Sequence, residues 1–349
     1  MKGLVLSITA GQGHNQTAMV ISKRFNECGV ECKYLDVYKF INPILSDSVN
    51  KIYLMSTKAI PKIYGGVYRM CEKRGVQSGA GIHGLNRITN SVLSRSLIKL
   101  IQKEKPDFII CTHIFAALLV TYISSIEHLN AKTIGVITDF TIHPYWEDSL
   151  LDYYIIANER LTIQGIKKGF PENKFLPLGI PIGTKFSRKI EKSKAKEILN
   201  LHSKHTILVM SGSMGFGAVY KEIEELDKLD MDFEIVSVSG NNKKLKTKID
   251  SMETRKKIYS YGYINNVDVF MDACDCIITK PGGLTTSEAL AKQIPMLINN
   301  PIPGQEDRNV EFLLNAGAAM RISSTNPIDE AVYQLSLIHI SEPTRLGMI

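Results

Sequence analysis

The stretch Thr279-Lys280-Pro281-Gly282-Gly283-Leu284-Thr285-Thr286-Ser287-Glu288-Ala289-Leu290-Ala291-Lys292 decides the fold. The apolar run Cys276 to Ile278 before it reads as a strand, and Lys280-Pro281-Gly282-Gly283 breaks that strand. A helical pattern starts near Thr285. Glycines at the turn allow a ligand to approach the backbone closely, and the new helix offers free N–H groups at its positive end. That combination is a site for a phosphate or diphosphate. Glu288 lies about one turn into the helix, where a carboxylate can accept both hydroxyls of a ribose. Downstream, Asn300-Pro301-Ile302-Pro303-Gly304-Gln305-Glu306-Asp307-Arg308-Asn309 leads into another helix. Gln305 and Asn309 are four apart there and share a face.

Working outward, the same strand–glycine loop–helix grammar opens each half of the chain. In the first half Leu4–Ile8 reads as a strand, Thr9–Asn15 as a loop carrying Gly11, Gly13 and His14, and Gln16–Glu27 as a helix. In the second, strand Thr206–Met210 leads into Ser211-Gly212-Ser213-Met214-Gly215, whose N–H groups form an anion-binding nest. Leu178-Gly179-Ile180-Pro181-Ile182-Gly183 reads as a linker, and Arg188–Leu201 as a charged helix. Alternating strands and helices over 349 residues predict an α/β protein of two domains, 1–180 and 181–335.

Charge is distributed unevenly. Residues 51–105 hold eleven Lys and Arg against Glu72 and Glu104, whereas the whole chain carries a net charge of only +7. Within that stretch Lys51, Tyr53, Lys58, Lys62, Tyr64, Tyr68 and Arg69 interleave basic, aromatic and aliphatic side chains, the composition of a segment lying flat among anionic headgroups. No nucleic-acid motif accompanies the charge, so a nucleic-acid partner is not expected. The sequence shows neither a run of some twenty apolar residues nor a signal peptide ahead of the first strand, so a cytoplasmic protein held peripherally on the membrane is expected. The six cysteines show no zinc spacing and read as reduced thiols. No metal or other cofactor is expected.

The Pro-Gly-Gly-Leu-Thr-x-Ser-Glu-Ala-Leu-Ala run followed by Asn-Pro-x-Pro-Gly-Gln-Glu resembles the nucleotide-sugar half of the family 28 glycosyltransferases. The branch it is most similar to holds the processive diacylglycerol glucosyltransferases and the monogalactosyldiacylglycerol synthases. The Gly-x-Gly-His of residues 11–14 resembles that family's first loop, and Asp139-Phe140 with His143 and Trp146 its Asp-aromatic…His-x-x-Trp pattern. The resemblance implies a GT-B fold, two Rossmann-like domains facing each other across a cleft. It also implies inverting transfer of glucose or galactose from a UDP-sugar to diacylglycerol.

On that reading His14 or Asp139 takes the proton of the acceptor hydroxyl, and the choice between them is open. Gly11, Gly13, His143 and Trp146 border the acceptor. Gly212, Ser213, Gly215, Gly282, Gly283, Leu284 and Thr285 cradle the diphosphate. Glu288 holds the ribose, and Gln305, Glu306 and Asn309 complete the donor site. The loop Tyr263–Asn266 leads into the base pocket.

Other readings compete with this one. A dinucleotide-binding fold would use Gly11, Gly13 and Asp36, but Gln16 stands where the third glycine belongs. An N-acetylglucosaminyl transferase on a polyprenyl-linked precursor, a sugar-nucleotide epimerase, and a non-catalytic protein that binds membrane and nucleotide share much of the pattern. Residues 336–349 (Ser-Leu-Ile-His-Ile-Ser-Glu-Pro-Thr-Arg-Leu-Gly-Met-Ile) read as a non-native tail.

Overall fold

The computed structural model describes residues 1–9, 12–42, 93–203, 205–210, 212, 215 and 218–341, with side chains to 336. The chain divides into two units, Met1–Pro181 with Ile302–Gln305, and Ile182–Pro301 with Glu306–Ile349. Each is built around its own six-stranded parallel sheet. Gly11, Ser213 and the basic, tyrosine-rich stretch with Lys51, Tyr53, Lys58, Lys62, Tyr64, Tyr68 and Arg69 lie outside the described residues.

In the first unit the strands are β1 (Lys2–Ser7), β2 (Glu31–Asp36), β3 (Phe108–Cys111), β4 (Lys132–Val136), β5 (Tyr153–Ile155) and β6 (Phe175–Leu176). Helices α1 (Gly13–Glu27), α2 (Val37–Ile41), α3 (93–104), α4 (Ile114–Ile126) and α5 (Arg160–Lys167) connect them. A parallel sheet covered on both faces needs apolar residues at every position, and β3 reads Phe-Ile-Ile-Cys with all four buried. The two faces alternate along β1: Leu4 and Leu6 join one core cluster and Val5 the other. Each such aliphatic side chain contributes about 1.5–3 kcal/mol on burial. Helix α1 turns Thr17, Ala18 and Ile21 inward at helical spacing.

The sheet order is β2-β1-β3-β4-β5-β6. From β1 the chain first goes one way to β2, then returns to the other side of β1 as β3. The carboxyl ends of β1 and β3 therefore flank a topological switch point, where open α/β sheets leave a crevice for ligands.

The second unit repeats the scheme with β7 (Thr206–Met210), β8 (Glu234–Val238), β9 (Ile258–Tyr261), β10 (Cys276–Thr279), β11 (Met296–Ile298) and β12 (Ala319–Arg321). Its helices are α6 (Lys192–Leu199), α7 (Val219–Lys228), α8 (Lys243–Asp250), α9 (Val267–Ala273), α10 (Gly283–Lys292), α11 (Gln305–Asn315) and α12 (Ile328–Ser341). The order β12-β11-β10-β7-β8-β9 places its switch point between β7 and β10. The loops leaving those two strands carry Gly212 and Gly215, and Pro281 and Gly282.

Several boundaries differ from the sequence reading. The charged helix expected from Arg188 starts only at Lys192. A buried ion pair accounts for the delay: Lys292 Nζ lies 2.6 Å from Asp272 Oδ2, Lys292 donates to the Arg188 carbonyl, and Asp272 accepts the Ile190 N–H. The Arg188 carbonyl and the Ile190 N–H are thus held by this pair, outside the helix. Helix α12 spans Ile328–Ser341. No described helix is long and apolar enough to cross a membrane.

Candidate active site

At the first switch point, helix α1 opens at Gly13 with no side-chain cap, and His14 is its second residue. The His14 Nδ1 atom lies 2.9 Å from the Thr112 carbonyl oxygen beyond β3 and 2.9 Å from Thr138 Oγ1 beyond β4. A carbonyl can only accept, so Nδ1 carries the proton and Nε2 the lone pair. The Thr112 hydroxyl returns a bond to the His14 carbonyl at 3.0 Å, locking the two segments together. Burial lowers the His14 pKa, while the Asp139 carboxylate and the Thr112 carbonyl oppose the shift.

Two more histidines border this group. His113 packs edge-on against His14 with ring centroids 4.6 Å apart. Its Nδ1 accepts the Phe115 N–H at 3.1 Å and caps α4. His143 caps the turn Pro144–Asp148 in the same way, accepting the Tyr145 N–H at 3.2 Å. Both rings therefore carry their proton on Nε2, the opposite tautomer to His14. Burial, with neighbouring His14 and His143, holds His113 well below the ordinary histidine range. Burial, Lys168 and His14 push His143 down to about 4. Asp139 ends the β4 loop and accepts a hydrogen bond from the Gln305 amide.

One first-unit expectation changes, and the competing dinucleotide reading loses its acidic residue. Trp146 is only 5% exposed and sits edge-to-face on Tyr154, so it is core rather than acceptor surface. Asp36 accepts from the Thr9 hydroxyl and caps α2 through the Lys39 N–H at 3.2 Å. A carboxylate so engaged does not serve a dinucleotide ribose.

At the second switch point the two glycines differ in kind. Gly215 has φ +59°, and a Cβ there would sit 2.1 Å from the Ser239 carbonyl oxygen. The fold itself demands glycine at that position. Gly282 has φ −72° and ψ 133°, ordinary for any residue, and a Cβ there would meet nothing within 4 Å. Packing does not demand glycine at Gly282, and the space over it is open. It is the N-cap of α10 and offers no side-chain cap to the N–H groups that follow. Gly283 is buried in the first turn, and Leu284 and Thr285 are half-buried beside it. The Thr286 and Ser287 hydroxyls donate back to the Gly282 and Gly283 carbonyls, which commits their protons to the helix.

Glu288 follows, half-buried. Burial and Asp268 push its carboxyl up to about 7 against the pull of Lys185. Asn309 is fully buried, and its amide donates to the Pro281 carbonyl at 2.9 Å. It supports the Pro-Gly-Gly turn from beneath instead of presenting a surface to a donor. Glu306 is half-buried in the first turn of α11.

One charged residue near this edge was not anticipated. Glu222 is 5% exposed and accepts from Asn299 Nδ2 at 2.8 Å and Asn300 Nδ2 at 3.4 Å. Burial outweighs these bonds and nearby Lys280, and its pKa rises to about 7. The signal lay in the spacing: Val219, Glu222, Ile223 and Leu226 form the buried stripe of α7, with a carboxylate in its middle. Among the described residues no group of three or more His, Cys, Asp or Glu is placed to hold a metal ion.

Known proteins match most of this chain. Residues 14–182 match the monogalactosyldiacylglycerol (MGDG) synthase family, and residues 206–337 the glycosyltransferase family 28 C-terminal domain. The processive diacylglycerol beta-glucosyltransferase of Bacillus pumilus (strain SAFR-032) is 30% identical over 346 residues, covering 96% of this chain and 86% of that protein. Acinetobacter baumannii MurG superposes with a TM-score of 0.64 at 14% identity, over 99% of this chain and 93% of that one. Anabaena Alr3699/HepE, solved in complex with UDP, superposes at 0.59 and 12% identity, over 99% and 93%. These structural likenesses establish the fold, two α/β units of GT-B type. The two family matches and the Bacillus relative together show that the chain belongs to the diacylglycerol glucosyltransferase and MGDG synthase branch of the family 28 glycosyltransferases.

Proposed function

We propose that this chain makes glycolipid by moving glucose or galactose from a UDP-sugar to diacylglycerol, with inversion at the anomeric carbon and without a metal. The observation that carries the donor half is the open space over Gly282 at an uncapped helix N-terminus, with Glu288 in the same helix. Free N–H groups and the helix dipole stabilise the charge that develops on a departing diphosphate. Glu288 accepts the ribose hydroxyls.

The acceptor half rests on His14. Its Nε2 lone pair takes the proton of the acceptor hydroxyl as that oxygen bonds to the anomeric carbon. The bond from that carbon to the diphosphate breaks in the same step, and UDP leaves. The tautomer favours His14 over Asp139 as the base, because Asp139 already receives the Gln305 amide and acts on His14 through its charge. The basic stretch 51–105 supports attachment to an anionic membrane surface, on the cytoplasmic face. The Bacillus relative's name supports diacylglycerol as acceptor and glucose as one candidate sugar.

Magnetic resonance of the product tests the chemistry. An α-linked UDP-hexose should yield a β-glycoside of the lipid, with chelator present. An α-glycoside would overturn inversion. Conversion of the donor with no lipid present would favour an epimerase.

A further inference from the structure

Lys185 ties together three parts of the second unit. It stands in the single turn Thr184–Ser187. Its ammonium donates to the Asn265 carbonyl, in the loop Tyr263–Asn266. The same nitrogen lies 3.2 Å from Asp268 Oδ1, in the first turn of α9. The turn packs on α10, the helix that carries Glu288.

We propose that Lys185 is a positioning residue for nucleotide binding: it pins the 263–266 loop against Asp268 of α9, beside the helix that carries Glu288. This rests on the donor reading given above. The charges around Glu288 come from each element packed on α10. The turn Thr184–Ser187 supplies Lys185, and α9 supplies Asp268. Further along, Asp272 of α9 and Lys292 of α10 itself pair with each other at 2.6 Å, so their charges largely cancel at Glu288. Lys185 pulls the Glu288 carboxyl down and Asp268 pushes it up. Removing either partner must therefore move nucleotide binding along the pH axis in opposite directions, which a merely structural role would not do.

UDP is the probe, titrated calorimetrically against the full chain between pH 5.5 and 8.5. Affinity should rise with pH through about 7, where Glu288 ionises, and then level off. The titration of the phosphate is common to all forms and cancels in ratios between them. Lys185→Met should weaken UDP about tenfold near neutral pH and move the rise to higher pH. Asp268→Asn should move it to lower pH. Lys185→Arg, which keeps charge and donors, should restore the affinity lost in Lys185→Met. Turnover at saturating donor should change less than twofold in Lys185→Met. Equal UDP affinity in wild type and Lys185→Met, or shifts of both variants in the same direction, overturns the inference. If Lys185→Met does not fold, the direction in Asp268→Asn decides it. If the wild type binds no UDP, the donor reading itself fails, and this inference falls with it.

Discussion

The His14 ring is held through its Nδ1 atom, 2.9 Å from the carbonyl oxygen of Thr112, and that one contact determines which nitrogen can take a proton. The two residues are 98 positions apart and meet only because β1 and β3 are neighbours at the switch point of the first sheet. Replacing His14 by Ala should lower turnover by roughly 10²–10⁴, the range for losing a general base, and leave UDP affinity within twofold. Burial lowers the His14 pKa, so turnover at saturating donor should fall only at pH values below the ordinary histidine range and stay level above it. Unchanged turnover in His14→Ala would remove it as the base and return the role to Asp139.

Gly282 and Gly215 separate ligand space from fold space. Gly282→Ala should leave the denaturant midpoint nearly unchanged, since the backbone is ordinary and the Cβ meets nothing. It should weaken the UDP-sugar at least tenfold by filling the approach to α10. Gly215→Ala should destabilise the protein by about 2 kcal/mol or more, because a positive φ and a 2.1 Å contact must both be relieved. Paired unfolding and binding curves check both. Equal loss of stability in the two variants would contradict the distinction.

His143 makes stability depend on pH. Its pKa falls to about 4 from 6.5, so between those values the unfolded chain binds a proton that the folded one refuses. Its contribution is complete above about 6.5 and is lost as pH falls towards 4. His143→Asn keeps an acceptor for the Tyr145 N–H and removes the titration. It should therefore gain stability relative to wild type at pH 4.5, by roughly 2 kcal/mol, and not at pH 7.5. Urea midpoints at the two pH values measure this.

Glu222 should behave in the opposite sense. Its pKa rises from 4.5 to about 7, so the folded state loses stability as pH climbs through that window. Glu222→Gln keeps an oxygen for Asn299 and carries no charge. It should be more stable than wild type by about 2 kcal/mol at pH 8 and near equal to it at pH 4.5. A uniform loss at both pH values would show that the carboxylate is needed where it stands.

The sheet-ending loops were legible because each combines an apolar run with glycines and a helical pattern. The β7 and β10 strands, and the helix after Gly282, followed from that contrast. The shortest strands were not legible. β11 has three residues, β12 three and β6 two, too few for a period to be read, and each is defined by pairing with its neighbour in the sheet. Helix starts were blurred where the signal was missing: α1 begins at Gly13 behind Gln12, whose side chain makes no cap. In the site, His14, Asp139 and Glu288 could be named from local motifs. The roles of Trp146 and Asn309 depended on burial, which motif matching does not carry. The bond from His14 to Thr138 spans 124 positions and exists only in three dimensions.

The most direct test of the account is sugar transfer into lipid. The full chain would be incubated with anionic liposomes containing diacylglycerol, labelled UDP-glucose and UDP-galactose supplied separately, and chelator present. The account predicts label in the lipid fraction from at least one donor, and none when diacylglycerol is omitted. Nucleotide-sugar bound but no label transferred from either donor, with diacylglycerol present, would contradict it.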